Sequence, residues 1–290
     1  MSFISLQNFA VTLLLFSMAT PAVRAQELAD SRTNASGLVV LGGSITEIVY
    51  ALGKGGDIVG ADLTSIYPPA AKKHAKLGYF RQISAEGVLS LNPKLVLASE
   101  DAGPPGALAQ IRSAGVPVEV IPSTPSIEGA KEKIKAVAKA VGAMPEAARI
   151  IAGLEEKIET LTAKTSQIDA PKSVLFIYAR GGGTLNVSGR STAADAIIRL
   201  AGGKNAISSY EDYRPLTPEA VVAAAPDVIL LLERGFESIG GEKGLLEVPG
   251  IALTPAGQNR AFLSIDDMLM LSFGPRLGDA ALELYTLLYH

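Results

Sequence analysis

The stretch GYFRQISAEG at residues 78–87 sets a phenol, Tyr79, two residues before a guanidinium, Arg81. A phenolate is a hard, anionic oxygen donor suited to a hard metal cation, but a free tyrosine titrates only at about pH 10. A neighbouring guanidinium or a coordinated metal favours the anion and brings that chemistry toward neutral pH. An extended backbone over 79–82 would turn both side chains to one face. The same cadence returns at 211–220 as EDYRPLTPEA, with Arg214 in the place of Arg81, Tyr213 in that of Phe80 and Asp212 in that of Tyr79. Both copies keep the cation, and one has the phenol donor. Glu86 and Glu219 also match, each in the first turn of a helix, where the helix dipole favours a carboxylate.

Composition narrows the chemistry further. The 290 residues carry 26 basic and 29 acidic side chains, a formal charge of −3 without the basic excess of a nucleic-acid binder. There is no cysteine, which excludes disulfides, thiolate metal sites and a cysteine nucleophile. The two histidines are His290, the last residue, and His74, in a basic loop with Lys72 and Lys73 and expected in solvent. They are too few for a zinc or manganese site built from several imidazoles. Three look-alikes fall short. VVLGGSITE lacks the GxGxxG of a dinucleotide loop. GGGTLNVSG lacks the lysine of a phosphate loop. Ser44 and Ser188 lie outside any GxSxG elbow, so a secreted α/β hydrolase is the weak alternative from another functional class.

The elements that must position these residues can be read from hydropathy. AVTLLLFSMAT (10–20) has the length of a signal-peptide core, and Val23 and Ala25 suit a cut after Ala25, although no Lys or Arg precedes the run. Residues 1–25 are therefore expected to be a signal peptide. The mature chain, with no cysteine to carry lipid, is expected free in solution outside the cytoplasm. Residues 26–143 read as an N-terminal α/β lobe, with strands at LVVL (38–41), DIVGAD (57–62), KLVLAS (94–99) and VPVEVIP (116–122) alternating with helices.

Residues 144–170 read as one connecting helix with Pro145 in its first turn and Ile150, Leu154, Ile158 and Leu161 at helical spacing. About 23 helical residues would span roughly 34 Å. The α/β pattern restarts at SVLFIYA (173–179), opening a C-terminal lobe over 171–290. ISAEGVLSLNPKLVLASE (83–100) aligns without gaps on LTPEAVVAAAPDVILLLE (216–233), which predicts two similar lobes. Two such lobes on one long helix enclose a cleft between them, a favoured place for a small ligand.

This organisation resembles the helical-backbone substrate-binding proteins of ABC importers, which carry iron chelates, cobalamin or haem to a membrane permease. LGYFRQISAEGVLSL is similar to the haem-binding branch and its motif GYxRxLSAEG, with Ile83 in place of the leucine. GGGTLNVSGRSTAAD (181–195) and FGPR (273–276) resemble that branch too. The resemblance implies a periplasmic haem-binding protein without catalysis, whose cargo is ferric protoporphyrin. A ferric siderophore or cobalamin is the alternative on the same fold.

It makes Tyr79 the axial ligand of the haem iron, a phenolate on ferric iron as in catalase, and Arg81 its stabilising cation. Arg214 would reach a haem propionate or the phenolate from the opposite lobe, and Tyr210, Arg180, Arg276, Lys72 and Lys73 are weaker candidates for that task. FIYARGGG offers no histidine, so a Tyr–His pair is not expected. Glu86 and Glu219, one per lobe, would dock on arginines of the permease dimer in the inner membrane. The implied partners are haem, that dimer and an outer-membrane haem receptor system upstream, with the chain itself a monomer.

Overall fold

Leu38–Leu41 (β1) is buried at all four positions, as an apolar run must be where helices cover both faces of a parallel sheet. Ile58–Ala61 (β2), Ala75–Lys76 (β3), Leu95–Ser99 (β4) and Val118–Ile121 (β5) join it in the order β3-β2-β1-β4-β5, with every pairing parallel. Gly43–Ala51 (α1), Ala85–Leu89 (α2) and Pro105–Ser113 (α3) lie between these strands along the chain. The computed structural model describes residues 36–179 and 183–290. Residues 1–25, expected to be a signal peptide, and Arg180 lie outside the described residues.

Ile127–Val141 (α4) ends at Gly142, in the left-handed conformation (φ 67°) that favours glycine. Met144–Thr165 (α5) follows as a helix of 22 residues with a proline in its first turn, about 33 Å long. The second sheet contains Ser173–Tyr178 (β6), Asn186–Ser188 (β7), Lys204–Asn205 (β8), Tyr213–Pro215 (β9), Val228–Leu232 (β10) and Phe262–Ile265 (β11). Its path is β11-β10-β6-β7-β9, with β8 also on β6. The helices of this half are Ala193–Leu200 (α6), Pro218–Ala224 (α7), Glu233–Ser238 (α8), Gly241–Glu247 (α9), Pro255–Gln258 (α10), Asp267–Leu271 (α11) and Leu277–Tyr289 (α12).

The predicted repeat is structural. Traced from β5, the first sheet follows the same path as the second traced from β11, with β10 in the place of β4 and β6 in that of β1. Ser84 and Thr217 occupy matching N-caps, each side chain accepting an amide N–H three residues on at 3.3 Å. The lobes part at the next strand. β2 runs parallel to β1, whereas β7 runs antiparallel to β6 and to β9.

One apolar core crosses the whole molecule. Leu38 and Ile45 of the first lobe, Leu154 and Leu161 of α5, and Phe176, Leu230 and Leu284 of the second belong to a single buried cluster. α12 lies close along α5, since a Cβ on Gly278 would stand 2.6 Å from Cβ of Lys157. Lys157 Nζ donates to Asp279 Oδ2 across the same seam at 2.7 Å. Among the described residues no helix is long and apolar enough to cross a membrane. Leu154 is almost fully buried, so Leu154→Ala is expected to destabilise the fold by about 2–5 kcal/mol. Met144→Ala, at an exposed position of the same helix, should cost no more than about 0.5 kcal/mol. Urea unfolding followed by circular dichroism measures both.

Candidate functional site

Tyr79 is extended (φ −82°, ψ 130°), but Phe80–Gln82 close into a 3₁₀ turn in place of the extended segment expected over 79–82. Gln82 N donates to Tyr79 O at 2.7 Å to close it, and the backbones of Phe80 and Ile83 bond to Gly103 in the loop after β4. The turn still brings the two groups together. Arg81 Nη1 donates to the Tyr79 hydroxyl at 2.7 Å, and Nη2 donates to Asp101. The guanidinium lies 4.6 Å from the Phe80 ring centre, a cation–π distance. Burial works against the Arg81 charge, but the bonds and charges of Tyr79 and Asp101 outweigh it and hold its pKa above the usual value.

Tyr79, Phe80 and Arg81 form part of the wall of a cavity of about 630 Å³ between the lobes, within the usual range for a small-molecule site. Ser99, Tyr178 and Leu232, the last residues of β4, β6 and β10, line it as well. The carboxyl ends of parallel strands are where open α/β sheets bind ligands. Leu63, Ile66, Met268 and Leu271 supply apolar surface beside polar groups such as Thr64, Ser123 and Ser272.

The Gly42–Ser44 edge of the cavity is held by Asp62, which is fully buried. Its carboxylate accepts from Gly42 N at 2.9 Å, Ser65 Oγ at 2.8 Å, Thr64 N at 2.8 Å and Thr64 Oγ1 at 2.6 Å. The strand–Gly–Gly–helix turn that resembled a dinucleotide loop therefore receives a side-chain carboxylate from its own lobe. Gly43 must be glycine because a Cβ there would stand 2.5 Å from both the Met268 methyl and the Thr64 carbonyl oxygen. Met268 belongs to the second lobe, so the two cavity walls touch at this point.

The second lobe contributes a cation that the sequence reading missed. Arg234 lines the cavity and donates from Nε to Asp267 Oδ2 at 2.9 Å. The repeat alignment, extended by one residue, puts Arg234 where the first lobe has Asp101. That extension was the available signal, whereas nothing in the sequence marked Tyr178, Asp267 or Met268. Each lobe thus presents one Arg–Asp pair to the cavity.

The other anticipated residues lie elsewhere. Arg214 is on β9, opposite Val187, with its guanidinium 4.3 Å from the Tyr210 ring centre; neither Arg214 nor Tyr210 lines the cavity. Arg276 is bound to Glu47 through two 2.9 Å bonds and stacked 3.5 Å from the Tyr67 ring centre. Lys72 and Lys73 are exposed at the end of a 3₁₀ turn and do not line the cavity either.

His74, expected in solvent, is half-buried, with Nε2 2.6 Å from the Tyr50 hydroxyl. The turn at Pro69–Lys73 folds the loop back onto α1, and burial together with Lys76 lowers the His74 pKa. Ser188 is buried and bonded to Thr192 in a network with Asn205 and Asp195, which gives the Ser188 end of the GGGTLNVSG segment a structural role. Glu86 and Glu219 are exposed in the first turns of α2 and α7.

Residues 38–269 match the family described as periplasmic binding protein. The chain belongs to the periplasmic binding protein family. Among solved structures this family member is similar to the periplasmic heme-binding protein RhuT from Roseiflexus sp. RS-1 in apo form. The two are 45% identical with a TM-score of 0.85, over 88% of this chain and 98% of that one. It is also similar to the periplasmic heme-binding protein BhuT in complex with two hemes, at 41% identity and a TM-score of 0.83 over 87% and 97% of the two chains. Its curated relatives include an uncharacterized ABC transporter substrate-binding lipoprotein, YvrC, of Bacillus subtilis, 29% identical over 87% of this chain and 79% of the relative. A vitamin B12-binding protein of Yersinia pseudotuberculosis is 26% identical over 78% and 76%. These relatives are binding proteins rather than enzymes.

Behind the cavity of this periplasmic binding protein, Lys133 of α4 is 1% exposed and donates from Nζ to the carbonyl of Ser272 at 2.8 Å. Burial pushes its pKa down to about 8, against the pull of Glu100 and Glu47. With the folded pKa below the ordinary 10.5, the unfolded chain holds the extra proton between those values. Stability should therefore rise with pH across that window and be flat with respect to this group below it. In Lys133→Met the contribution, at most about 1.4 kcal/mol per pH unit, should vanish. Denaturant midpoints of both proteins from pH 7 to 10 check the sign.

Proposed function

We propose that the chain binds haem in the cavity between its lobes and hands it to an ABC permease without catalysing a reaction. The observation that carries this reading is the Arg81–Tyr79 bond inside a cavity whose wall mixes apolar side chains with polar ones. A guanidinium has only donors, so the phenol oxygen is the acceptor, and the same bond strengthens when the phenol becomes a phenolate. That is the donor an open axial position on ferric haem takes. Leu63, Ile66, Met268 and Leu271 suit the faces of a macrocycle. Arg81 and Arg234, one from each lobe, suit propionates, whose planar carboxylates match the guanidinium fork. Arg234 takes here the part that the sequence reading gave to Arg214. The haem named in the RhuT and BhuT structures supports the same cargo.

Hemin added to the purified protein should give the charge-transfer bands of five-coordinate, high-spin ferric haem on a tyrosinate. Tyr79→Ala should lose those bands and at least about tenfold in affinity, roughly 1.4 kcal/mol. Cyanocobalamin titrated into the same protein should not bind. Binding of cobalamin in preference to hemin would overturn the cargo, and an unchanged spectrum in Tyr79→Ala would overturn the ligand.

For delivery, we propose that Glu86 and Glu219 meet basic residues on the two halves of a permease dimer. Their matched places in the repeat suit a two-fold partner, and exposed interface charges act mainly on encounter and register. The double variant Glu86→Ala/Glu219→Ala should bind hemin like the parent chain yet fail to stimulate the transporter's ATPase in reconstituted vesicles. Normal stimulation would leave the two residues as helix-terminus carboxylates. The carrier is proposed to act as a monomer, free in the periplasm.

A further inference from the structure

We infer that Glu47, Lys133 and Arg276 form a clasp that fixes the width of the cleft from behind, with Arg276 a positioning residue for the cavity wall. The chain leaves α11, whose Asp267, Met268 and Leu271 line the cavity, and reaches α12 through Ser272–Arg276. Both ends of this short segment are gripped by the first lobe. At one end the Ser272 carbonyl accepts from Lys133 Nζ at 2.8 Å. At the other, Arg276 donates from Nε and an Nη to the two oxygens of Glu47 at 2.9 Å each, and its guanidinium stacks on Tyr67. Between them Phe273 is buried with φ 44°, a left-handed conformation that a bulky residue keeps only when its surroundings impose it.

Glu47 is 3% exposed and sits on α1, whose first residues Gly43 and Ser44 line the same cavity. The clasp therefore joins α1 to α11, the two walls that meet at Gly43 and Met268. Parting them would leave the Glu47 carboxylate and the Lys133 ammonium buried without partners, which is strongly unfavourable.

The mouth of the cleft is built the opposite way. There Arg81 bonds to Asp101 within the first lobe and Arg234 to Asp267 within the second, and both arginines are exposed. Among the described residues no charge pair has to break for the mouth to widen. The ion pair and the charged hydrogen bond that cross between the lobes both lie at the rear, so it is the rear that holds the width of the mouth.

The cysteine-free chain permits a direct test that does not depend on any cargo. Ser90→Cys and Ala223→Cys place one exposed spin label at matching positions of the two lobes. In the otherwise unaltered protein, double electron–electron resonance should give one narrow distance distribution. Glu47→Gln removes the carboxylate charge, and Arg276→Lys keeps the positive charge but loses the two-pronged bond. Each should broaden or split the distribution while far-UV circular dichroism stays that of the folded protein. A purely local structural role would lower the melting temperature and leave the distance unmoved, and that result overturns the clasp. A broad distribution in the unaltered chain overturns it as well. If Glu47→Gln does not fold, Arg276→Lys decides alone, a distribution like the parent's rejecting the proposal and a broadened one supporting it.

Discussion

Two sheets can share a ligand only if their strand ends are held facing each other across a fixed gap. α5 and α12 meet this constraint, packed so closely that Gly278 has no room for a side chain. The apolar cluster running through them joins the core of one lobe to that of the other. The lobes are thus not beads on a flexible linker. Their separation depends on side-chain packing, which resists small displacements because interiors are close to crystal density. The carboxyl ends of β4, β6 and β10 inherit that fixed geometry, and the cavity is the space left between them.

Repetition of one unit explains both the likeness and the difference of the two walls. The shared path from β4 through β1 and from β10 through β6 carries equivalent positions to equivalent places. Asp101 in one lobe and Arg234 in the other consequently face the same cavity. The likeness ends where β7 reverses direction. An antiparallel β7 draws residues 213–215 into a strand on its far edge, and Arg214 goes with it. The corresponding turn in the first lobe has no such partner strand, closes as 3₁₀, and leaves Tyr79 and Arg81 at the cavity. One reversed strand separates a cavity arginine from a sheet-edge arginine.

The charges at the cavity suit an amphipathic cargo that must later leave. Arg81 and Arg234 each have an aspartate partner in their own lobe, so the described residues form a balanced site before any ligand arrives. An anionic ligand competes for guanidinium groups that are already oriented, and the aspartate of each pair can take its arginine back when the ligand departs. Exposed pairs of this kind contribute little to stability. They keep the long side chains pointed at the cavity.

The α/β class, the long helix, the longer strands of the first lobe and the duplicated unit were all legible in the sequence, because each rests on local hydropathy and on spacing within a few residues, whereas the short strands β3, β7, β8 and β9 were not. LVVL, KLVLAS and SVLFIYA became buried strands for that reason. The pairing of Tyr79 with Arg81 was legible too, although the backbone that achieves it is a turn fixed by Gly103, twenty-odd residues away in the chain. What the sequence could not decide was which of several arginines faces the cavity. Arg214, Arg234 and Arg276 look alike as residues, and their roles follow from contacts with Val187, Asp267 and Glu47, the last of these 229 positions distant. His74 was misread in the same way, since Tyr50 approaches it only once the loop has folded onto α1. Spacing along the chain reports which face of an element a side chain takes. Only the packing of elements, a long-range property, decides what that face meets.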